Sequence, residues 1–182
     1  MRRALRTAAS AGAIVLILIA IVPVQNRLTG IKDRSWFAER MTFLPETADI
    51  RKLLPGFETI YANYLWIRTI LYFGSHYLTD RDFPWLIGMV DMVTRLNPHF
   101  YPAYEFAALM IPDYCGNPDA ARVILERGVA ALGTKNHKVP FYLGWLYHRH
   151  YGDNIRAAQY LSFAAYSPKA PPHIAGLAAT FY

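Results

Sequence analysis

When the segment beginning at Gly116 is laid over the segment beginning at Gly152, equivalent residue types meet at a constant offset of 36 residues, the distance from Gly116 to Gly152. Ala121 meets Ala157, Leu125 meets Leu161 and Gly128 meets Ala164, with Arg122 against Ala158 as a mismatch inside the stretch. Self-similarity at this period constrains a chain strongly. A pair of helices cannot bury both of its faces alone, so neighbouring pairs stack, and the recurring small residues mark where backbones approach. No stretch alternates between apolar and polar residues at period two. The chain is expected to be all-α.

The better of the two copies runs from Lys138 to Pro168. It holds Leu143-Gly144 and Tyr147 on a first helix, Gly152-Asp153 at a turn, and Ala157, Leu161, Ala164 and Pro168 on a second helix. In these positions it resembles the tetratricopeptide repeat. It departs from that family's pattern by Pro140 near its start, in place of an aromatic residue, and by one extra residue between Tyr147 and Gly152. A looser copy spans Pro102 to Leu132 through Ala107-Ala108, Ile111, Gly116, Ala121, Leu125 and Gly128. An earlier one places Leu86, Val90 and Val93 before a closing Leu96-Asn97-Pro98. Its first helix begins near Phe57, where Ile60, Tyr64, Ile67 and Leu71 define one apolar face. Tyr61, Tyr64, Trp66, Tyr72, Phe73 and Tyr77 surround that face and are expected to pack between helices rather than hold a cofactor. The resemblance covers Phe57 to Tyr182, and the final Pro171 to Tyr182 reads as the start of another copy. Such arrays end on a polar-faced cap, so Ala178, Ala179, Phe181 and Tyr182 imply a truncated chain or an end covered by a partner.

Upstream, Thr7 to Val24 carries no charge, and at ~1.5 Å per residue it reaches roughly 27 Å, close to the thickness of a bilayer's hydrocarbon core. Arg2, Arg3 and Arg6 precede it, as in a secretory signal, but no Ala-x-Ala-like cleavage site follows. This favours an uncleaved, single-pass signal anchor with a cytoplasmic N-terminus and an exported repeat domain. Ala9 with Ala13 and Ala8 with Gly12 have the spacing that lets another helix approach. The expected organisation is a basic tail and transmembrane anchor with its flank over 1–34, a linker over 35–56, and a helix-pair solenoid over 57–182.

The net charge of +6 suggests a nucleic-acid partner only until it is located. Residues 1–34 hold six basic groups against Asp33 alone, whereas residues 35–182 hold thirteen basic against twelve acidic groups. A domain so balanced lacks the basic face that displaces counterions from phosphates, so no nucleic-acid partner is expected. Hydrophobic residues make up 54% of the chain and aromatic residues 15%, which excludes a disordered polymer.

Catalytic chemistry leaves no mark in the sequence. The lone Cys115 permits neither an internal disulfide nor a Cys-x-x-Cys site. His148 and His150 are two apart, the wrong spacing for a metal pair on one helix face, and His76, His99, His137 and His173 are scattered. No nucleophile elbow, phosphate loop or dinucleotide fingerprint is present. No enzyme activity, metal or cofactor is expected.

Function then falls to the surface. In tetratricopeptide repeats the first helices line a concave groove that binds peptides. The resemblance carries this role to Lys138, Phe141, Trp145, His148 and Arg149, with Glu105 and Leu109 at corresponding places upstream. Trp and Arg are the residue types most often found at interface hot spots. The expectation is a protein partner, met either by an adaptor or assembly scaffold at the cell envelope or by a fixed accessory subunit of a large membrane complex.

Overall fold

The computed structural model describes residues 50, 52–53 and 55–181. Among these residues there are seven α-helices and no strand: α1 Glu58–Tyr77, α2 Leu86–Leu96, α3 Tyr101–Tyr114, α4 Pro118–Leu132, α5 Lys138–Leu146, α6 Asn154–Ala165 and α7 His173–Thr180. The all-α expectation holds. The predicted anchor over residues 7–24 lies outside the described residues, and no described helix is long and apolar enough to cross a membrane.

Punctuation residues act where sequence chemistry places them. Asn117 caps α4 by accepting the Ala120 N–H at 2.9 Å, and Asp153 caps α6 by accepting the Arg156 N–H at the same 2.9 Å. Pro118 opens α4 at a position whose N–H has no intrahelical acceptor. Between α5 and Gly152 the chain widens into a π-turn over Tyr147–Tyr151. Gly152 then closes the helix in the left-handed region at φ 65°, and the Asp153 N–H reaches back to the Tyr147 carbonyl at 3.1 Å.

Each helix packs on the next in the chain, and there are contacts one pair apart as well, α3 beside α5 and α2 beside α4. First helices therefore meet first helices, and second helices meet second. α2 lies deepest, with seven of its eleven residues buried, because α1, α3 and α4 all lean on it.

The recurring small residues sit at the closest approaches. A Cβ added to Gly144 would lie 2.9 Å from the Ala157 carbonyl oxygen, and one added to Gly128 would lie 2.6 Å from the Tyr104 ring. That ring has little room to yield, since Tyr104 is fully buried and its hydroxyl donates to the Pro98 carbonyl at 3.0 Å. Ala121, Ala157, Ala164, Leu125 and Leu161 are all fully buried alongside.

The period also governs polar contacts. Arg127 reaches Asp91 at 2.7 Å across 36 residues, and Arg149 reaches Asp113 at 3.4 Å across the same 36. Tyr142 donates to Glu105 at 2.8 Å across 37 residues. The spacing seen as residue similarity is therefore also the spacing at which one helix pair is tied to the next.

One expectation is corrected. The stripe of Ile60, Tyr64, Ile67 and Leu71 does not face the core: these residues are 64%, 54%, 59% and 47% exposed. The inward face is Ala62, Leu65, Thr69 and Tyr72, which has an equally good helical spacing. Periodicity could not choose between two apolar faces of one helix. Ala62 is small and buried, and the Thr69 hydroxyl satisfies itself on the Leu65 carbonyl at 2.8 Å, so a polar residue is buried at little cost. Of the aromatic residues around that stripe, Tyr72 is buried and Trp66 and Phe73 are packed between helices, while Tyr64 is turned outward.

Candidate functional site

α3 and α5 lie side by side, and the strip between them brings together most of the residues singled out for binding. Glu105 and Leu109 come from α3; Lys138 and Trp145 come from α5, and Arg149 from the π-turn that follows. Leu109 is 45% exposed and Trp145 42%, so both present apolar surface without being buried by their own fold. They border a shallow cleft of about 50 Å³, with Asp113, Tyr142, Arg149 and His150 around it.

The charges along this strip are paired. The Lys138 ammonium lies 3.6 Å from Glu105 and 5.8 Å from the centre of the Tyr101 ring. Arg149 and His150 both approach Asp113, at 3.4 and 3.9 Å. The lining is thus a mosaic of compensated ion pairs around an apolar centre rather than a plain basic groove. Both pairs are solvated, so each contributes little to stability and can be exchanged for an incoming charge.

Phe141 and His148 reach beyond this strip, although the His148 ring also lies 5.7 Å from that of Trp145. Phe141 lines a second cleft, of about 160 Å³, with His137, Lys138, Pro171, His173 and Ile174. His148 rests on Phe181, ring centres 4.6 Å apart, and its Nδ1 meets the Asn154 side chain at 2.8 Å. Glu105, Leu109, Lys138, Trp145 and Arg149 thus share one strip, His148 links its Trp145 to Phe181, and Phe141 lines the junction with α7 beside Lys138.

Two members of the strip escaped the sequence reading. Asp113 lies 36 residues before Arg149, so a search for opposite charges one period apart would have found it. Tyr142 lies one residue after Phe141 and turns toward α3, where burial and its bond to Glu105 push its pKa up to about 12. Elsewhere, burial also pushes the Cys115 thiol up, which keeps it protonated and dulls it as a nucleophile. Among the described residues no three His, Cys, Asp or Glu side chains converge as a metal site.

Compared with known proteins, the chain matches no family model, no curated protein and no solved structure.

Proposed function

We propose that this chain is a membrane-anchored, tetratricopeptide-like protein that binds another protein, as an adaptor or assembly scaffold at the cell envelope. The observation that carries this reading is the strip between α3 and α5. Trp145 and Leu109 stand exposed at its centre, and solvated ion pairs flank them. An extended peptide could lay an apolar side chain against Trp145 and offer a carboxylate to Arg149 in exchange for Asp113. The π-turn that carries Arg149 supports the same reading, since such bulges recur at functional sites. The anchor and the export of the repeat domain rest on the uncharged run over 7–24 and the basic residues before it.

A second reading is a fixed accessory subunit of a large membrane complex. The outward apolar stripe of α1 favours it, because such a surface usually meets another protein.

Affinity capture from gently solubilised membranes separates the two, using the full chain in parallel with a version that begins at Ser35. The adaptor reading expects one stoichiometric partner with both, lost on Trp145→Ala and on Arg149→Glu. Capture of a single membrane assembly by the full chain alone, indifferent to both substitutions, would favour the subunit reading. If neither version brings down a stoichiometric partner, protein binding is the wrong function.

A further inference from the structure

The gaps between successive first helices are filled differently. Between α3 and α5 lies a carboxylate of the chain itself: Glu105 accepts the Tyr142 hydroxyl at 2.8 Å and stands 3.6 Å from the Lys138 ammonium. One period of 36 residues further along, the place of Glu105 is taken by Phe141. Between α5 and α7 the chain therefore supplies no acid, and a cleft of about 160 Å³ opens there. Three basic side chains, His137, Lys138 and His173, share its lining with an apolar wall that includes Phe141, Pro171 and Ile174. The two histidines are also 36 residues apart, at the N-cap of α5 and at the first residue of α7. Neither imidazole has a hydrogen-bond, ion-pair or ring partner among the described residues.

We propose that this cleft binds a carboxylate carried on an apolar body, placing from outside the group that Glu105 supplies one gap earlier. His137 and His173 each have a ring N–H to donate, and the Lys138 ammonium has three donors, enough to serve Glu105 and an incoming carboxylate together. The apolar wall selects the rest of the ligand. Pockets of this make-up, mostly apolar with a few polar groups, fix a ligand's orientation through those groups. The volume suits one small ring, since a cavity of ~150 Å³ takes up benzene. Inorganic phosphate is the poorer fit, because it leaves Phe141, Pro171 and Ile174 without a partner and finds no arginine fork in the lining. The site lies apart from Trp145 and Arg149, and it stands whether or not a peptide binds at the strip between α3 and α5.

The test follows the histidine ring signals of the full chain in an uncharged detergent by NMR while phenylacetate is added. The signals of His137 and His173, assigned through their Gln variants, should move together and saturate, with a dissociation constant on the order of 1 mM. The signal of His99, which lies outside the cleft, should stay in place. Phenylacetamide keeps the ring and loses the charge, so it should bind about tenfold more weakly or not at all. His137→Gln and His173→Gln should each weaken phenylacetate about tenfold, read at the remaining ring, with an unchanged melting temperature. His99→Gln should bind as the wild type does. An acetylated Gly-Phe dipeptide with a free C-terminus separates two sources of the same chemistry. Tighter binding than phenylacetate supports the end of a polypeptide as the ligand, and weaker binding supports a small acid. No saturable shift at the two rings, equal affinity for the amide, binding that survives both Gln substitutions, or equal displacement by inorganic phosphate would each overturn the proposal.

Discussion

The pair α1–α2 and the pairs that follow it are held by different means. From α3 onward, helices approach through glycine and alanine, and charged or phenolic side chains tie each pair back to the one before, including Arg127 to Asp91 of α2, at near-constant sequence separations. Where the first pair meets α3 the space is filled by rings. Phe73 meets Tyr77, Phe83, Phe106 and Tyr114 with centres 5.1 to 5.6 Å apart, and Trp66 sits edge-on to Phe100 and Phe106. Small residues make an interface that tolerates little added volume. Large rings make one whose parts can tilt and refill, since edge-on and stacked arrangements differ little in energy. One architecture is thus built with a stiff half and an adaptable half.

The contrast can be broken most directly by adding one methyl to the stiff half. Gly144→Ala should lower stability by about 2 kcal/mol, because the new Cβ meets a backbone carbonyl at 2.9 Å that only a helix shift can relieve. That loss should exceed the small gain in helix propensity. Chemical denaturation measures it, and a neutral result would show that α5 and α6 can part freely.

In the adaptable half, Phe73→Leu removes more atoms than Gly144→Ala adds, yet should cost only about 1 kcal/mol as neighbouring rings close in. A loss larger than that of Gly144→Ala, in the same denaturation assay, would reverse the assignment of stiff and adaptable.

The smallest effect is alkaline. Tyr142 is raised to about 12 in the folded chain, by burial first and by its bond to Glu105 second, against 10.0 for the free side chain. Its contribution is complete below the unfolded value and is lost as pH rises toward the folded one. Between those two values Tyr142→Phe should therefore lose stability less steeply than the wild type, as read by melting temperature against pH. Parallel slopes would mean that the tie between α3 and α5 does not persist in solution.

How far the sequence foretold this molecule depends on the same contrast. Gly128, Ala121, Ala157 and Ala164 declared themselves because a close approach admits few residue types, so similarity survives at a fixed period. α1 did not, because its two faces are both apolar and both helical in spacing; what decided was the small Ala62 and the self-satisfied Thr69. Within the candidate strip, Trp145, Arg149, Leu109 and Glu105 were legible from repeat position. The further contacts of Phe141 and His148 with the segment around α7 and Phe181 were not legible, since no local pattern announces a neighbour so far along the chain.

The π-turn at Tyr147–Tyr151 acts on this molecule as a slipped stitch acts on a knitted row. A widened turn rotates the residues within it relative to those of a regular helix. Widening the helix there brings Arg149 and His150 to Asp113, at 3.4 and 3.9 Å, before Gly152 turns the chain into α6. Gaining or losing one residue in that turn should therefore re-aim Arg149 and His150 relative to Trp145.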